Sequence, residues 1–204
     1  MSSAAVAFQQ RIGAELERAF DGEYQFFKSR LELRGADETD RNVLILAGSN
    51  KYSPYLSIEF YFGRNFEAAR RVEKLLGDTP FYYHIQQYSL NQRNMKSLQY
   101  EGPYSWSLDI SKPIDSLISE MKYAVEGIAN PFFERFNSIE SARDAVASDD
   151  SWCFGGPIFW KQLLILDAAM NEIAHFKKWA TQLDEFAVKQ SNEMLDKLAQ
   201  VDIW

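Results

Sequence analysis

In the stretch Tyr55-Leu56-Ser57-Ile58-Glu59-Phe60-Tyr61-Phe62, an apolar side chain occupies every second position. Successive side chains of a β-strand point to opposite faces of the sheet, so this alternation predicts a strand with one buried and one exposed face. The side chains predicted to be buried are Leu56, Ile58, Phe60 and Phe62. Those predicted to be exposed are Tyr55, Ser57, Glu59 and Tyr61.

Two further strands are predicted before this stretch. Residues 24–34 alternate, with Phe27, Leu31 and Leu33 on the inward side, and residues 43–48 form a short apolar run that is typical of a central strand. Only short polar loops separate the three strands, and short loops favour antiparallel neighbours. The first half of the chain therefore predicts an antiparallel meander.

The second half adds two strands and a long helix. Residues 81–89 are strand-like, and apolar side chains alternate with polar ones over 104–110. A regular helical period follows over 113–129, which the pair Asn130-Pro131 is expected to end. We expect one sheet face to pack against this helix, and that face consists of Leu56, Ile58, Phe60, Trp106 and Leu108.

The remaining patterns predict helices at several other places. One covers 4–20, a short one is capped by Asn65 and ends at Gly77, and another is capped by Ser138. From 158 to 199 the helical period continues with a break near Asn171. The inward face of the last helix is predicted to carry Ile173, Phe176, Ala180, Leu183, Phe186 and Ala187.

Strands that cluster instead of alternating with helices indicate an α+β fold. We expect an antiparallel sheet of about five strands packed by helices, followed by a C-terminal helical hairpin. The 204 residues are predicted to form a single domain over 1–204, with the C-terminal helical unit beginning at about 158.

Charge and cysteine content narrow the function classes. The net charge is −7, and residues 103–204 carry all of it, with 9 basic and 16 acidic groups. Nucleic-acid binding needs a basic stripe, and the sequence has none, so we expect no nucleic-acid partner. The single cysteine excludes an internal disulfide and agrees with a reducing cytoplasm. We expect a cytoplasmic protein without a signal peptide or a membrane partner, because no apolar run approaches the ~20 residues that span a bilayer.

The sequence contains no recognisable catalytic, phosphate-binding or metal-binding motif. Cys153 could pair with His84 or His175, but its aromatic neighbours indicate a buried and inert thiol. Glu172 and His175 have the spacing of two ligands on one helix face, yet a di-iron site needs a second such pair. We therefore predict no catalytic residues, no metal site and no cofactor.

Two sets of side chains are the candidates for contact with a partner. Acidic pairs in loops or on polar helix faces can meet basic groups on another protein, and these are Asp149, Asp150, Asp184 and Glu185. Tyrosines near a turn or on the polar strand face predict an exposed aromatic patch, consisting of Tyr52, Tyr55 and Tyr61.

The arrangement also resembles a family of uncharacterised bacterial cytoplasmic proteins that is labelled only as a domain of unknown function. The resemblance consists of a leading helix, the strand Tyr55-Leu56-Ser57-Ile58-Glu59-Phe60, and Tyr104-Ser105-Trp106-Ser107-Leu108 before a long helix. It continues with Ala129-Asn130-Pro131-Phe132-Phe133 and the helix that begins at Ser138. Some relatives are thought to be immunity proteins encoded beside toxins. The resemblance implies a binding protein and carries over no functional residue.

Three functional hypotheses follow from the sequence. The first is a non-enzymatic protein that binds another protein, in its specific form an immunity protein that neutralises a basic toxin. The second is an enzyme whose site is assembled from scattered carboxylates, tyrosines and His84. The third is a structural homo-oligomer, such as a homodimer, that associates through its aromatic surface. The sequence favours the first, because no catalytic constellation is visible and the second half is acidic.

Overall fold

The computed structural model describes residues 3–27, 32–35, 40–49, 55–77, 81, 84–86, 100–103, 105–109, 111, 113–148, 150, 152–153 and 155–200. Over these residues the fold is α+β, with an antiparallel sheet and a series of C-terminal helices, as predicted. The chain divides into two compact units. The first contains residues 1–63 and 89–134, and the second contains residues 64–88 and 135–204.

The first unit contains most of the sheet. Its strands are β1 (Tyr24–Phe27), β2 (Glu32–Gly35), β3 (Arg41–Ser49), β4 (Tyr55–Asn65, whose last two residues belong to the second unit) and β6 (Ser105–Asp109). The order along the sheet is β1-β2-β3-β4, and β6 pairs antiparallel with the first half of β4. The predicted meander is therefore present.

The single strand predicted over 24–34 is wrong. The segment forms β1 and β2, which pair with each other, with Phe27 opposite Glu32. Because Phe26 lies opposite Leu33 and Phe27 opposite Glu32, positions 27 and 33 lie on opposite faces of this strand pair, so the alternation predicted over 24–34 does not continue from β1 into β2. As a consequence Tyr24 is buried and Phe27, predicted to point inward, is 37% exposed. Leu31 and the Leu33 side chain lie outside the described residues.

The alternation in β4 is confirmed where its side chains are described. Ile58 and Phe62 are buried, whereas Ser57, Glu59 and Tyr61 are exposed. The Phe62 ring packs edge-on against two further phenylalanines in this unit, Phe132 and Phe133.

Across from β4, the adjoining strand contributes to the same buried face. Trp106 is buried opposite Ile58, and Leu108 is half-buried opposite Leu56. The side chains of Leu56 and Phe60 lie outside the described ones.

The helices of the first unit are α1 (Ser3–Ala19), α3 (Asp115–Ala124), a π-helical turn (Val125–Ala129) and α4 (Asn130–Arg135, whose last residue belongs to the second unit). Helix α1 confirms the predicted amphipathic helix and buries Phe8, Ile12 and Leu16.

Asn130-Pro131 was predicted to end the long helix, and this prediction is wrong. The chain passes instead through the π-helical turn, where the Asn130 amide donates to the Val125 carbonyl five residues back. A proline inside an α-helix lacks one amide donor and crowds the preceding turn. The wider π turn changes the hydrogen-bond register directly before Pro131, which allows α4 to continue.

The second unit is mainly helical. Its elements are α2 (Glu67–Leu76), β5 (Ile85–Gln86), α5 (Ile139–Ser148), a 3₁₀ turn (Pro157–Phe159), α6 (Trp160–Ala169), α7 (Ile173–Trp179), a second 3₁₀ turn (Ala180–Gln182) and α8 (Glu185–Ala199). Ser138 caps α5 as predicted, since its hydroxyl accepts from the Ser141 amide at 3.2 Å. The break at Asn171 is also confirmed, with a left-handed φ of 61°. No described helix is long and apolar enough to span a membrane.

Candidate functional site

The helix predicted from Ile173 onward is interrupted, and the interruption creates an exposed helix start. Leu183 is extended, with φ −79° and ψ 154°, and Asp184 is the N-cap of α8. The Asp184 carboxylate accepts from the Ala187 amide at 2.7 Å. This side-chain bond replaces the backbone bond that a continuous helix would make, so it defines a new helix start.

Phe186 lies in the first turn of α8 and is 70% exposed, although it was predicted to face inward. The buried stripe of this helix consists of Ala187, Ser191, Met194 and Leu198. Because α8 begins anew at Glu185, its apolar stripe starts at Ala187, and Phe186 falls outside it. Asp184 and Glu185, the two residues that precede Phe186, are also exposed.

Asp150 occupies a different environment from the other predicted acidic residues. Its carboxylate accepts from Arg135 Nη2 at 2.7 Å and from the Trp152 amide at 2.8 Å. The Asp150 side chain is only 19% exposed, and its charge is already paired with that of Arg135. Asp149 lies outside the described residues.

Of the predicted tyrosines, Tyr61 is described most fully. It is 43% exposed and donates its hydroxyl to Glu59 Oε2 at 3.0 Å. The hydrogen bond to Glu59, with partial burial and the negative charge of Glu59, raises the pKa of Tyr61. Tyr55 begins β4 but its side chain is not among the described ones, and Tyr52 lies outside the described residues. Tyr61 belongs to the first unit, whereas Asp150, Asp184 and Glu185 belong to the second.

His84 is fully buried and acts as the N-terminal cap of α2. Its Nδ1 accepts from the Phe66 amide at 2.8 Å, so the ring proton lies on Nε2. Asn65 was predicted to cap this helix, but it is the last residue of β4, and Phe66 precedes the helix without a side-chain cap of its own. A histidine eighteen residues away in the sequence supplies the bond that local reasoning assigned to a neighbour.

Behind His84, a buried carboxylate completes the cluster. Glu73 Oε1 lies 3.2 Å from His84 Nε2 and accepts from the Phe81 amide at 2.9 Å. The His84 contact is electrostatic, since Nε2 makes no hydrogen bond of good geometry. Burial raises the pKa of Glu73, but His84, the Phe81 amide and Arg70 outweigh it, so the pKa is lowered. The His84 side chain has no exposed surface with which to meet a substrate.

His175 forms the second histidine–carboxylate pair, which sequence reasoning did not find. Its Nδ1 lies 2.8 Å from Oδ2 and 3.0 Å from Oδ1 of Asp167, which is fully buried. The His175 side chain is 36% exposed, so one end of the ring is anchored and the ring also reaches solvent. Burial raises the pKa of Asp167 more than its hydrogen bonds and the nearby charges of His175 and Arg143 lower it.

Arg143 joins this pair to two exposed acids. Its Nη1 lies 3.3 Å from Asp167 Oδ1 and donates to Glu172 Oε2 at 2.8 Å, and its Nε lies 2.6 Å from Asp144 Oδ1. Glu172, which the sequence paired with His175 as a ligand set, is thus held by an arginine. Among the described residues, no group of three histidine, cysteine or acidic side chains is placed to hold a metal ion.

Comparison of the chain with protein-family models, with curated proteins and with solved structures finds no match. The predicted resemblance to a bacterial family of unknown function therefore stays a prediction.

Proposed function

We propose that the protein binds a basic protein partner through the start of α8. Phe186 is the apolar anchor of this surface, and Asp184 and Glu185 are its acidic rim. The observation that carries the proposal is the 70% exposure of Phe186 directly after two exposed acidic residues, Asp184 and Glu185. An immunity protein that neutralises a basic toxin is the specific form of this function that the sequence favours.

The exposed ring supports an interface because aromatic side chains dominate binding energies. Fully burying a phenylalanine side chain stabilises a complex by about 1.5–3 kcal/mol. Phe186 has most of that surface still in water, so a pocket on a partner would gain about 1–2 kcal/mol from the ring alone. Interface anchors of this kind lie at the centre of a contact and are surrounded by polar groups.

The acidic charge of the second half of the chain indicates that the partner is basic. Residues 103–204 carry 16 acidic and 9 basic groups, which attract a basic surface and raise its association rate. Glu185 is the rim charge with the greater freedom, because one Asp184 oxygen is engaged by the Ala187 amide. Asp150 is excluded from this rim by its bond to Arg135.

The test begins with a random peptide library that is selected on the full-length protein. The proposal predicts that the selected peptides are rich in lysine and arginine and contain an apolar residue. Phe186→Ala is expected to weaken their binding about tenfold or more, which corresponds to ~1.4 kcal/mol. Glu185→Gln is expected to weaken binding about 2–5-fold at low salt, and less at high salt.

Asp184→Asn removes the other rim charge but retains the N-cap, since asparagine caps as well as aspartate, so it is expected to weaken binding at low salt without loss of stability. Two further variants serve as controls. Glu193→Gln removes an exposed charge from the same helix outside the first turn, and Tyr61→Ala removes an exposed aromatic ring from the first unit. If the selected peptides lose affinity for Tyr61→Ala and not for Phe186→Ala, the tyrosine patch is the binding surface and the proposal is wrong. A concentration-dependent dimer abolished by Phe186→Ala would show instead that the ring serves self-association.

A second function is favoured by the His175–Asp167 pair. A buried carboxylate that binds Nδ1 of a histidine orients the ring so that Nε2 can accept a proton. With Asp167 as the orienting group and part of the ring in solvent, His175 has the arrangement of a general base. This observation supports the enzymatic hypothesis through His175 instead of His84.

Hydrolysis of chromogenic ester and phosphoester substrates tests the second function. Activity that is lost in His175→Gln and retained in His84→Gln would support acid–base catalysis at this pair. Equal hydrolysis by wild-type protein and His175→Gln, normalised for folded protein, would leave the pair with a structural role alone.

A further inference from the structure

Tyr123 is another exposed aromatic side chain of the first unit, and one face of its ring is packed against a second tyrosine. Tyr123, in the last turn of α3, is 56% exposed, and its ring lies on that of Tyr100, with centroids 5.3 Å apart and planes tilted by 34°. Tyr100 itself is only 6% exposed. The outer face of Tyr123 is thus presented to solvent while its inner face is packed.

Tyr100, on which the Tyr123 ring lies, is packed closely against the helix that carries Tyr123. Tyr100 lies so close to Gly127, in the π-helical turn, that a side-chain carbon at Gly127 would clash with its ring. The Tyr100 hydroxyl donates to the Pro103 carbonyl at 2.8 Å. The ring is therefore held at both ends. Turns of the π type within α-helices occur frequently at functional sites.

A carboxylate is held beside this aromatic pair. Glu120 is exposed one turn before Tyr123, where side chains three residues apart are neighbours. Its Oε2 accepts from the indole Nε1 of Trp106 at 3.2 Å, and Trp106 is buried. Burial, followed by the nearby Tyr123 and Glu120, raises the pKa of Tyr100 to about 12, which agrees with the closeness of these groups.

The lysine nearest to Glu120 in the sequence, Lys122, makes its contacts with other groups. Lys122 Nζ donates to the Ala19 carbonyl at 3.0 Å and lies 4.0 Å from Glu126. Within the described part of the chain, no lysine or arginine pairs with Glu120. The structure therefore presents an oriented carboxylate and an aromatic face side by side, and none of the described residues supplies the cation that both attract.

We propose that Tyr123 and Glu120 form a docking surface for an arginine or lysine side chain of a partner protein. The cation lies over the Tyr123 ring and pairs with the carboxylate of Glu120. Aromatic faces attract cations, and arginine can stack on the ring while it donates hydrogen bonds to an acid. The surface belongs to the first unit, and the proposal stands whether or not the start of α8 binds a partner.

The Trp106 indole N–H is a built-in reporter, since it donates to Glu120. Full-length ¹⁵N-labelled protein is titrated with a short arginine-rich peptide, acetylated and amidated, and its spectra are recorded. The indole signal and the amides of residues 120–126 are expected to shift with one common affinity. The same peptide with glutamate in place of arginine is expected to leave them unchanged.

Matched variants separate the contribution of the Tyr123 ring to peptide affinity from that of the Glu120 charge. Tyr123→Phe retains the ring and is expected to bind as wild type, whereas Tyr123→Leu is expected to bind about 2–5-fold more weakly, the range for exposed cation–π contacts. Glu120→Gln is expected to weaken binding by a similar factor, and Glu126→Gln serves as the charge control on the neighbouring turn.

Several results would overturn the assignment. The first is an indole signal that does not move, and the second is equal affinity of the Phe and Leu variants at Tyr123. A response to free argininamide as strong as that to the peptide would indicate a small-cation site instead of a protein-docking surface. Phe186→Ala is expected to leave the indole titration unchanged, so failure here and failure of the α8 proposal are distinguishable.

Discussion

Replacing Asp167 with alanine is expected to destabilise the protein by about 2–3 kcal/mol. Removing one partner of a buried ion pair costs about 3–5 kcal/mol when the other partner is left buried and uncompensated. Here the remaining partners are not stranded. Arg143 keeps Glu172 at 2.8 Å as well as Asp144, and the His175 side chain is 36% exposed and can be hydrated. The expected loss is therefore at or below the lower end of that range.

Asparagine at the same position provides the contrast. Because burial raises the pKa of Asp167, the folded protein disfavours its charge, and a neutral amide of the same shape removes that penalty. Asp167→Asn can still accept a hydrogen bond from Arg143, so it is expected to cost clearly less than Asp167→Ala.

Urea denaturation followed by far-UV circular dichroism measures both variants, and thermal unfolding gives a second reading. For a chain of this size, the expected loss for alanine lowers the melting temperature by about 4–12 °C. Equal stability of Asp167→Ala and wild type would refute the account of this cluster as a link between α5, α6 and α7. A loss for asparagine as large as that for alanine would show that the charge itself supplies the stability and that relief of its burial gains nothing.

The other predictions concern three separate positions. Asp184→Ala should cost about 1 kcal/mol in unfolding free energy through loss of the α8 cap, and Asp184→Asn almost nothing; equal losses in urea denaturation would contradict the capping role. Gly127→Ala should cost about 1–3 kcal/mol, because its methyl group would overlap the Tyr100 ring, and an unchanged melting temperature would show that this contact is loose. The lowered pKa of Glu73 means that its stabilising effect is present above the ordinary value of 4.5 and is lost as the pH falls through the lowered one. The stability difference between wild type and Glu73→Gln should therefore shrink on acidification, and a difference that grows as the pH falls would reverse the assigned sign.

The sheet could be predicted where the alternation of apolar and polar residues within one strand indicates which side chains are buried. Ile58 and Trp106 alternate with exposed neighbours on both sides, and Phe62 follows the exposed Tyr61, so their burial follows directly from the period. The end of β1 could not be predicted from the alternation, because Phe27 and Leu33 are both apolar at odd-numbered positions although the strand pairing places these positions on opposite faces. The α+β class was therefore predictable from the strand patterns, whereas the number of strands before residue 36 was not.

The predicted helix boundaries were wrong at the places where a capping side chain or an altered hydrogen-bond register determines the end of a helix. Asp184 has the chemistry of an N-cap, and this was a usable signal, but the apolar period from Ile173 appeared to continue through it. Reading Asp184 as a cap would have predicted both the new helix and the outward position of Phe186. The passage of the helix through Pro131 depends on a π turn, for which the sequence pattern offers no rule.

The two histidine clusters could not be predicted because they join residues that are distant in sequence. His84 reaches Phe66 and Glu73 across a turn and a helix, and Arg143 reaches Asp167 from a different helix. Each contact depends on how helices pack, and neither cluster has a characteristic spacing. The sequence identified both histidines as the scarce reactive groups, but only the structure distinguishes the buried cap from the half-exposed ring.

The most direct test of the proposed binding surface is amide hydrogen exchange on the full-length protein, with and without a basic peptide selected on it. We predict that the peptide slows exchange most strongly over 184–188, in the first turn of α8, and that Phe186→Ala abolishes this protection. Protection confined to 57–61 on β4, or protection over 184–188 that persists in Phe186→Ala, would show that the start of α8 is not the binding surface.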